Sequence, residues 1–256
     1  MPNIYYVEKI ESINPFSSDG LYGERWVGLS ITDSAEYKMM SGTDILFGFK
    51  ISRHSEGWQF RAMDFIEFNS MLGRNIIYTG SVEDLEAAKT VYDGHSIYDQ
   101  FLRPYEPCVL VHSTTPEGYR GIIKDGALKS WNKIKKGHDD RPIGDLLGDP
   151  ADFSDYVMLG ELGYWSEIVV SSNEKGTICM DPDCDYQPGA RFYFDTLTLI
   201  KEGLFVRDGM HYKVRDELPL SYVLFCATLE NVAVDGRVTP RSFADAADEA
   251  LKKGLT

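Results

Sequence analysis

Short apolar runs broken by turn residues dominate this chain, and only a few stretches carry a helical period. Near the start, RWVGLSI (25–31), DILFGFKI (44–51) and NIIYTG (75–80) are apolar or alternating, and predict strands. Two helical patterns lie among them. One is MDFIEFNSMLG (63–73); the other is SVEDLEAAKTVYDG (81–94), which opens with Ser81 and Asp84 at capping-box spacing and closes on a glycine. Together they predict a small α+β module. The segment HSIYDQFLRPYEP (95–107) sets two prolines before the next apolar strand, which places a boundary near Tyr105 and divides the chain into 1–104 and 105–256.

Beyond that boundary the pattern is one strand, one helix, then many strands. CVLVH (108–112) predicts a strand, and PEGYRGIIKDG (116–126) a helix with Ile122 and Ile123 facing inward and Gly126 as its stop. DYVML (155–159), SEIVVSS (166–172), GTICMD (176–181), ARFYFD (190–195), LFV (204–206), MHYKV (210–214) and PLSYVLFCATL (219–229) all read as strands. Asp208-Gly209 between two of these runs is a hairpin signal. The closing SFADAADEALKKG (242–254) reads as an amphipathic helix with acid early and lysine late. The whole is an α+β pattern without internal repeats.

Composition narrows the function classes. A chain of 256 residues, 43% of them hydrophobic, can bury a sizeable core. A net charge of −14 opposes broad, unspecific binding to nucleic acid or anionic membrane. No apolar run approaches the length a bilayer needs, and MPNIYYVEKIES lacks the charged-then-apolar order of a secretion signal, so a soluble, cytoplasmic protein with no membrane partner is expected. Cys108, Cys179, Cys184 and Cys226 form no C-x-x-C unit and are expected as free buried thiols, neither zinc ligands nor catalytic. The common glycine-rich phosphate loops, the G-x-S-x-G elbow and H-E-x-x-H are missing. DPDCD (181–185) lacks the glycine and late glutamate of a calcium loop and reads as a solvated turn. No metal site is expected.

The chemistry concentrates at LVHSTTPEGYRGIIKDGAL (110–128), where an apolar strand ends in a histidine and hydroxyl residues before a helix. This stretch resembles the first motif of the ADP-ribosyltransferase superfamily, and IGDLLGDPADFSDYVML (143–159) is similar to the segment that follows in the toxins of that superfamily that modify DNA. ARFYFDTLTLIKEGLFVRDGMHYKVRDELPLSYV (190–223) resembles the C-terminal part of the NAD-dependent RNA 2′-phosphotransferases, through Asp195, Gly203, Asp208-Gly209, Pro219, Tyr222 and Val223. Both families share one fold and one cofactor. The resemblance covers about residues 107 to 225 and implies a split antiparallel sheet with few helices, binding NAD. It leaves 1–104 without a role. The phosphotransferases carry R-x-H-x-H where this chain has Ser154-Asp155-Tyr156-Val157-Met158, so the arginine that would hold an RNA phosphate has no counterpart.

By this resemblance His112, Ser113 and Thr114 bind the cofactor, and an aromatic on the ARFYFD strand stacks on nicotinamide. Strand alternation puts Phe192 and Tyr193 on opposite faces, so at most one can do so, and Tyr193 is the candidate. His211, with Tyr212, sits on the second hairpin arm as a further cofactor contact. Breaking the nicotinamide–ribose bond builds positive charge on the sugar, which a carboxylate stabilises, and Glu217 is the candidate catalytic residue. The lysine excess Lys124, Lys129, Lys133, Lys135 and Lys136, with Trp131 among it, could meet phosphates of NAD or of a nucleic-acid acceptor, or be a solvated face. Arg141 and Arg207 are further phosphate candidates. NAD-dependent ADP-ribosyl transfer to an unidentified acceptor is the leading expectation. An RNA 2′-phosphotransferase-like enzyme, or a non-catalytic nucleotide- or protein-binding module on the same fold, stands beside it.

Overall fold

The computed structural model describes residues 3–34, 39–40, 46–94, 100–134 and 149–254, which mix helices with several separate sheets. Lys135, Lys136, Arg141 and the start of the 143–159 segment lie outside the described residues. The described residues divide into two compact units. The first takes the chain up to Glu106 together with 149–151 and Arg207–His211; the second starts at Pro107 and takes the rest.

In the first unit, strands β1 (Ile4–Tyr6), β2 (Trp26–Thr32), β3 (Met39–Met40), β4 (Gly48–Ser52) and β5 (Asn75–Thr79) form one sheet in the order β1-β5-β2-β4-β3. Only β3 runs antiparallel. Helix α1 (Trp58–Met71) connects β4 to β5, and α2 (Val82–Asp93) follows. α1 starts five residues before the predicted helix. At Gly57 the backbone is left-handed (φ 66°), a shape that closes the preceding turn without Cβ strain. The α2 cap forms as its spacing predicts: Ser81 Oγ accepts from the Asp84 N–H, and the Asp84 carboxylate accepts from the Ser81 N–H. The apolar positions Leu29, Ile31, Phe49, Ile51, Phe65, Ile76 and Tyr78 meet in one core cluster.

The second unit carries three small sheets. β6 (Val109–Thr114), β9 (Ala190–Asp195) and β13 (Val223–Ala227) pair antiparallel in the order β13-β9-β6. β8 (Tyr156–Leu159), β10 (Phe205–Arg207) and β11 (Tyr212–Arg215) form the order β10-β11-β8, with the predicted Asp208-Gly209 turn between β10 and β11. β7 (Ala127–Lys129) pairs with β12 (Glu217–Pro219). One isolated bridge, Val111 to Gly160 with N···O distances of 2.8 Å in both directions, joins β6 to the end of β8. Around the sheets lie α3 (Pro116–Asp125), α4 (Trp131–Ile134), α5 (Trp165–Lys175), α6 (Thr196–Lys201) and α7 (Pro240–Gly254).

The β6/β9/β13 sheet is buried on both faces. Leu110, Phe192 and Phe194 join one core with Val157, Val214 and Leu218, whereas Val111, Tyr193 and Ala227 join another with Val170 of α5 and Phe243, Ala247 and Leu251 of α7. Positions 243, 247 and 251 recur every fourth residue, so α7 turns one stripe to the sheet.

Several sequence expectations are corrected here. SEIVVSS is helix α5: Ile168, Ser171 and Ser172 are buried while Val169 is 51% exposed, a three-and-four spacing that packing against β6 and α7 imposes over the β preference of the valines. GTICMD forms no strand, because Gly176 ends α5 in the left-handed conformation (φ 63°) and the chain then turns. In α3, Ile122 packs into the core but Ile123 is 51% exposed, since adjacent residues on a helix cannot share a face. PLSYVLFCATL is broken into β12, a 3-10 turn (Leu220–Tyr222) and β13. The four cysteines are free, as expected, but none is fully buried: Cys108 is exposed and the other three are half-buried.

Candidate functional site

The strand that carries the histidine is closed at its end by local chemistry. Thr115 caps α3 by accepting the Gly118 N–H at 3.1 Å, Pro116 fills the first helical position, and Gly126 (φ 70°) ends the helix with its N–H on the Ile122 carbonyl. This holds the hydroxyl row at a fixed strand end.

Alternation then splits that row. His112 pairs with Phe192 and shares its face with Leu110 and Thr114; Ser113 points to the opposite face. His112 Nδ1 lies 2.9 Å from the Met158 carbonyl, which can only accept, so in the neutral ring Nδ1 carries the proton and Nε2 is the acceptor. Burial lowers the His112 pKa, against the Met158 carbonyl, which favours the charged ring. The imidazole is therefore a neutral acceptor at pH 7.

Ser113 belongs to a different assembly. Its hydroxyl donates to Glu167, whose other oxygen takes the Arg191 guanidinium at 2.6 Å. Arg191 also reaches Asp248 at 2.9 Å and the Tyr193 hydroxyl at 2.9 Å; Tyr193 donates to Asp248 at 2.7 Å, and Asp248 accepts the Gly163 N–H at 2.9 Å. Burial raises the Glu167 pKa, with Arg191 and Ser113 pulling the other way. Tyr193 is wholly buried, so its ring offers no exposed face for stacking; Phe192 on the other face is buried too. This cluster was not singled out in the sequence. Its signals are a charge opening an aromatic strand at Arg191, a glutamate before the IVV run at Glu167, and an aspartate on the apolar stripe of α7 at Asp248.

Glu217 opens β12 beside Asp216, whose backbone is left-handed (φ 63°), and faces solvent. Its carboxylate takes the Lys133 ammonium at 3.1 Å, both side chains being about half exposed (41% for Lys133, 47% for Glu217). No hydrogen bond joins it to His112. Lys129 is paired with Asp125 at 2.7 Å, so two of the described lysines are already answered by acids. His211 lies in the first unit, where its N–H donates to Asp208 Oδ1 at 2.6 Å and its ring faces the other carboxylate oxygen at 3.4 Å. Arg207, in the same unit, is committed to Glu106 at 2.6 Å.

A surface recess is lined by Glu174, Asp185, Tyr186, Gln187, Arg237 and Val238, none of them a residue chosen from the sequence. Two of its lining residues, Arg237 and Asp185, pair at 2.6 Å. Among the described residues, no cluster of three or more His, Cys, Asp and Glu side chains could hold a metal ion, and no helix is long and apolar enough to cross a membrane. In comparisons with known proteins the chain matches no family model, no curated protein and no solved structure.

Proposed function

We propose that the second unit binds NAD at the His112 end of β6 and transfers its ADP-ribosyl group to an acceptor. The observation that carries this reading is the tautomer of His112. With Nδ1 fixed on the Met158 carbonyl and the ring kept neutral, Nε2 is an oriented acceptor suited to a ribose hydroxyl. The lone Val111–Gly160 bridge between two antiparallel sheets is in keeping with a split sheet. Bound NAD would supply the ADP-ribosyl group, with nicotinamide leaving.

The chain's own part is binding and charge placement. His112 holds the sugar, and Glu217 offers a carboxylate to the positive charge that grows on it. The Lys133 pair does not prevent this, because an exposed ion pair is weak and gives way readily. A second reading, a non-catalytic binding module on the same fold, is favoured by one observation: Ser113 and Tyr193 are consumed by the buried Arg191 cluster.

Thermal unfolding with and without millimolar NAD, with nicotinamide release followed in the same samples, separates the two. Stabilisation that His112→Ala abolishes, with release that Glu217→Gln abolishes, is the expected result. Stabilisation without release would leave the binding module, and neither effect would end the NAD reading.

A further inference from the structure

We propose that Cys179 and Cys184 form a thiol–disulfide exchange site that accepts low-molecular-weight disulfides and closes the loop after α5 with an internal Cys179–Cys184 bond. The two sulfurs are 3.7 Å apart across a turn, and both residues are half-buried, so they are close to each other and within reach of small molecules. A disulfide needs about 2.05 Å, a closure that side-chain rotation on a turn supplies. The turn is held in place at both ends. Ser172 Oγ accepts the Cys179 N–H at 3.0 Å, Ser171 Oγ lies 3.2 Å from the Cys184 sulfur, and Asp181 Oδ1 accepts the Asp183 N–H at 2.9 Å.

A cation lies beside the pair. Lys175, the last residue of α5, donates from its ammonium to the Cys179 sulfur at 3.1 Å and also interacts with Cys184, which favours a thiolate on the pair. Of the acids in the turn, Asp183 is paired with Arg241 at 3.1 Å and Asp185 with Arg237 at 2.6 Å, while the backbone of Asp181 hydrogen-bonds Cys179 and acts with the lysine. The lysine prevails, and the Cys179 pKa is lowered, first through Lys175. Cys226, by contrast, is pushed up to about 11 by burial, and no shared turn links Cys108 to another thiol.

The reaction follows from these roles. The Cys179 thiolate attacks one sulfur of a small disulfide, that S–S bond breaks, and the first thiolate leaves and takes up a proton. Cys184 then loses its proton, its sulfur displaces the second small thiolate from Cys179, and the internal bond forms. Two protein thiols are oxidised and one small disulfide is reduced to two thiols. The proposal does not depend on NAD binding.

The test treats the full-length native chain with oxidised glutathione, blocks remaining thiols with N-ethylmaleimide, and maps the tryptic peptide 176–191, which holds both cysteines with no internal cleavage site. The expected peptide is lighter by two hydrogens and carries no maleimide. Cys184→Ser should trap glutathione on residue 179, Cys179→Ser should react at residue 184 at least tenfold more slowly, and Lys175→Met, which removes the cleavage before Gly176 and is therefore followed by intact mass, should slow the modification several-fold. A peptide that keeps both thiols free, or that carries glutathione without closing, would overturn the proposal. Equal closure in the urea-unfolded chain would overturn the claim that the fold builds the site.

Discussion

Arg191 and Glu167 meet at 2.6 Å with neither side chain reached by solvent, and they tie strand β9 to helix α5 through charge inside an otherwise apolar layer. Such a pair is costly to desolvate and costlier to break. Removing Arg191 leaves Glu167 buried and uncompensated, typically at about 3–5 kcal/mol, whereas removing Glu167 leaves Arg191 its Asp248 partner at 2.9 Å. Arg191→Met is expected to lower stability by that amount in urea unfolding, and Glu167→Leu by less. The double variant Glu167→Leu/Arg191→Met should lose clearly less than the sum, because no charge is stranded on Glu167. Simple additivity would show that the two residues do not act as a pair.

Asp64 gives the first unit a pH dependence. Burial pushes its carboxyl up to about 7, over the opposing pull of Arg103 at 3.0 Å and the Tyr105 hydroxyl at 2.7 Å. Between its ordinary value of 3.8 and about 7 the folded chain holds a proton that the unfolded chain has released, so stability falls as pH rises through that window. The slope from this group is at most about 1.4 kcal/mol per pH unit. Stability measured from pH 4 to 8 should decline less steeply in Asp64→Asn than in the unaltered chain. Parallel curves would remove Asp64 as the source.

Gly209 is fixed by contact as well as by conformation. Its φ is 76°, and a Cβ there would lie 2.1 Å from the Arg61 carbonyl oxygen, within a hairpin tip whose own carbonyl accepts the Arg61 Nε–H at 2.9 Å. Gly209→Ala therefore adds a backbone clash to left-handed strain. A loss of about 3 kcal/mol is expected, against little change for Gly203→Ala beyond its φ strain, since nothing lies within 4 Å of a Cβ there. Equal losses in the two variants would mean that strain alone, not the Arg61 contact, sets the requirement.

What the sequence disclosed and what it withheld follow one rule. Features written in neighbouring residues were legible: the Ser81 capping box, the Pro116 start and Gly126 stop of α3, and the Asp208-Gly209 turn. Features set by distant packing were not. SEIVVSS has strand-like residues, yet β6 and α7 select its helical face, and nothing near Glu167 in the chain announces Arg191 or Asp248. The candidate site divides the same way. That His112 lies on a strand was readable, but β6 runs on past it through Thr114, and the opposite facing of Ser113 matters only because Glu167 is there to receive it. The approach of the free Cys179 and Cys184 sulfurs to 3.7 Å was hidden by a spacing that matches no common motif.

His112 supplies a pH effect of the opposite sign, and it bears on the proposed function. Burial lowers its pKa below the ordinary 6.5, so between that folded value and 6.5 the unfolded chain takes up a proton that the folded chain refuses. Its contribution to stability is complete above pH 6.5 and declines as pH falls through the window. His112→Gln has no titrating group, so the stability of the unaltered chain relative to this variant should decrease from pH 7 to pH 5. If Nε2 holds the ribose, NAD stabilisation should weaken over the same range, since protonation turns the acceptor into a donor. Stability that changes with pH identically in both chains would place the neutral imidazole, and the NAD site built on it, in error.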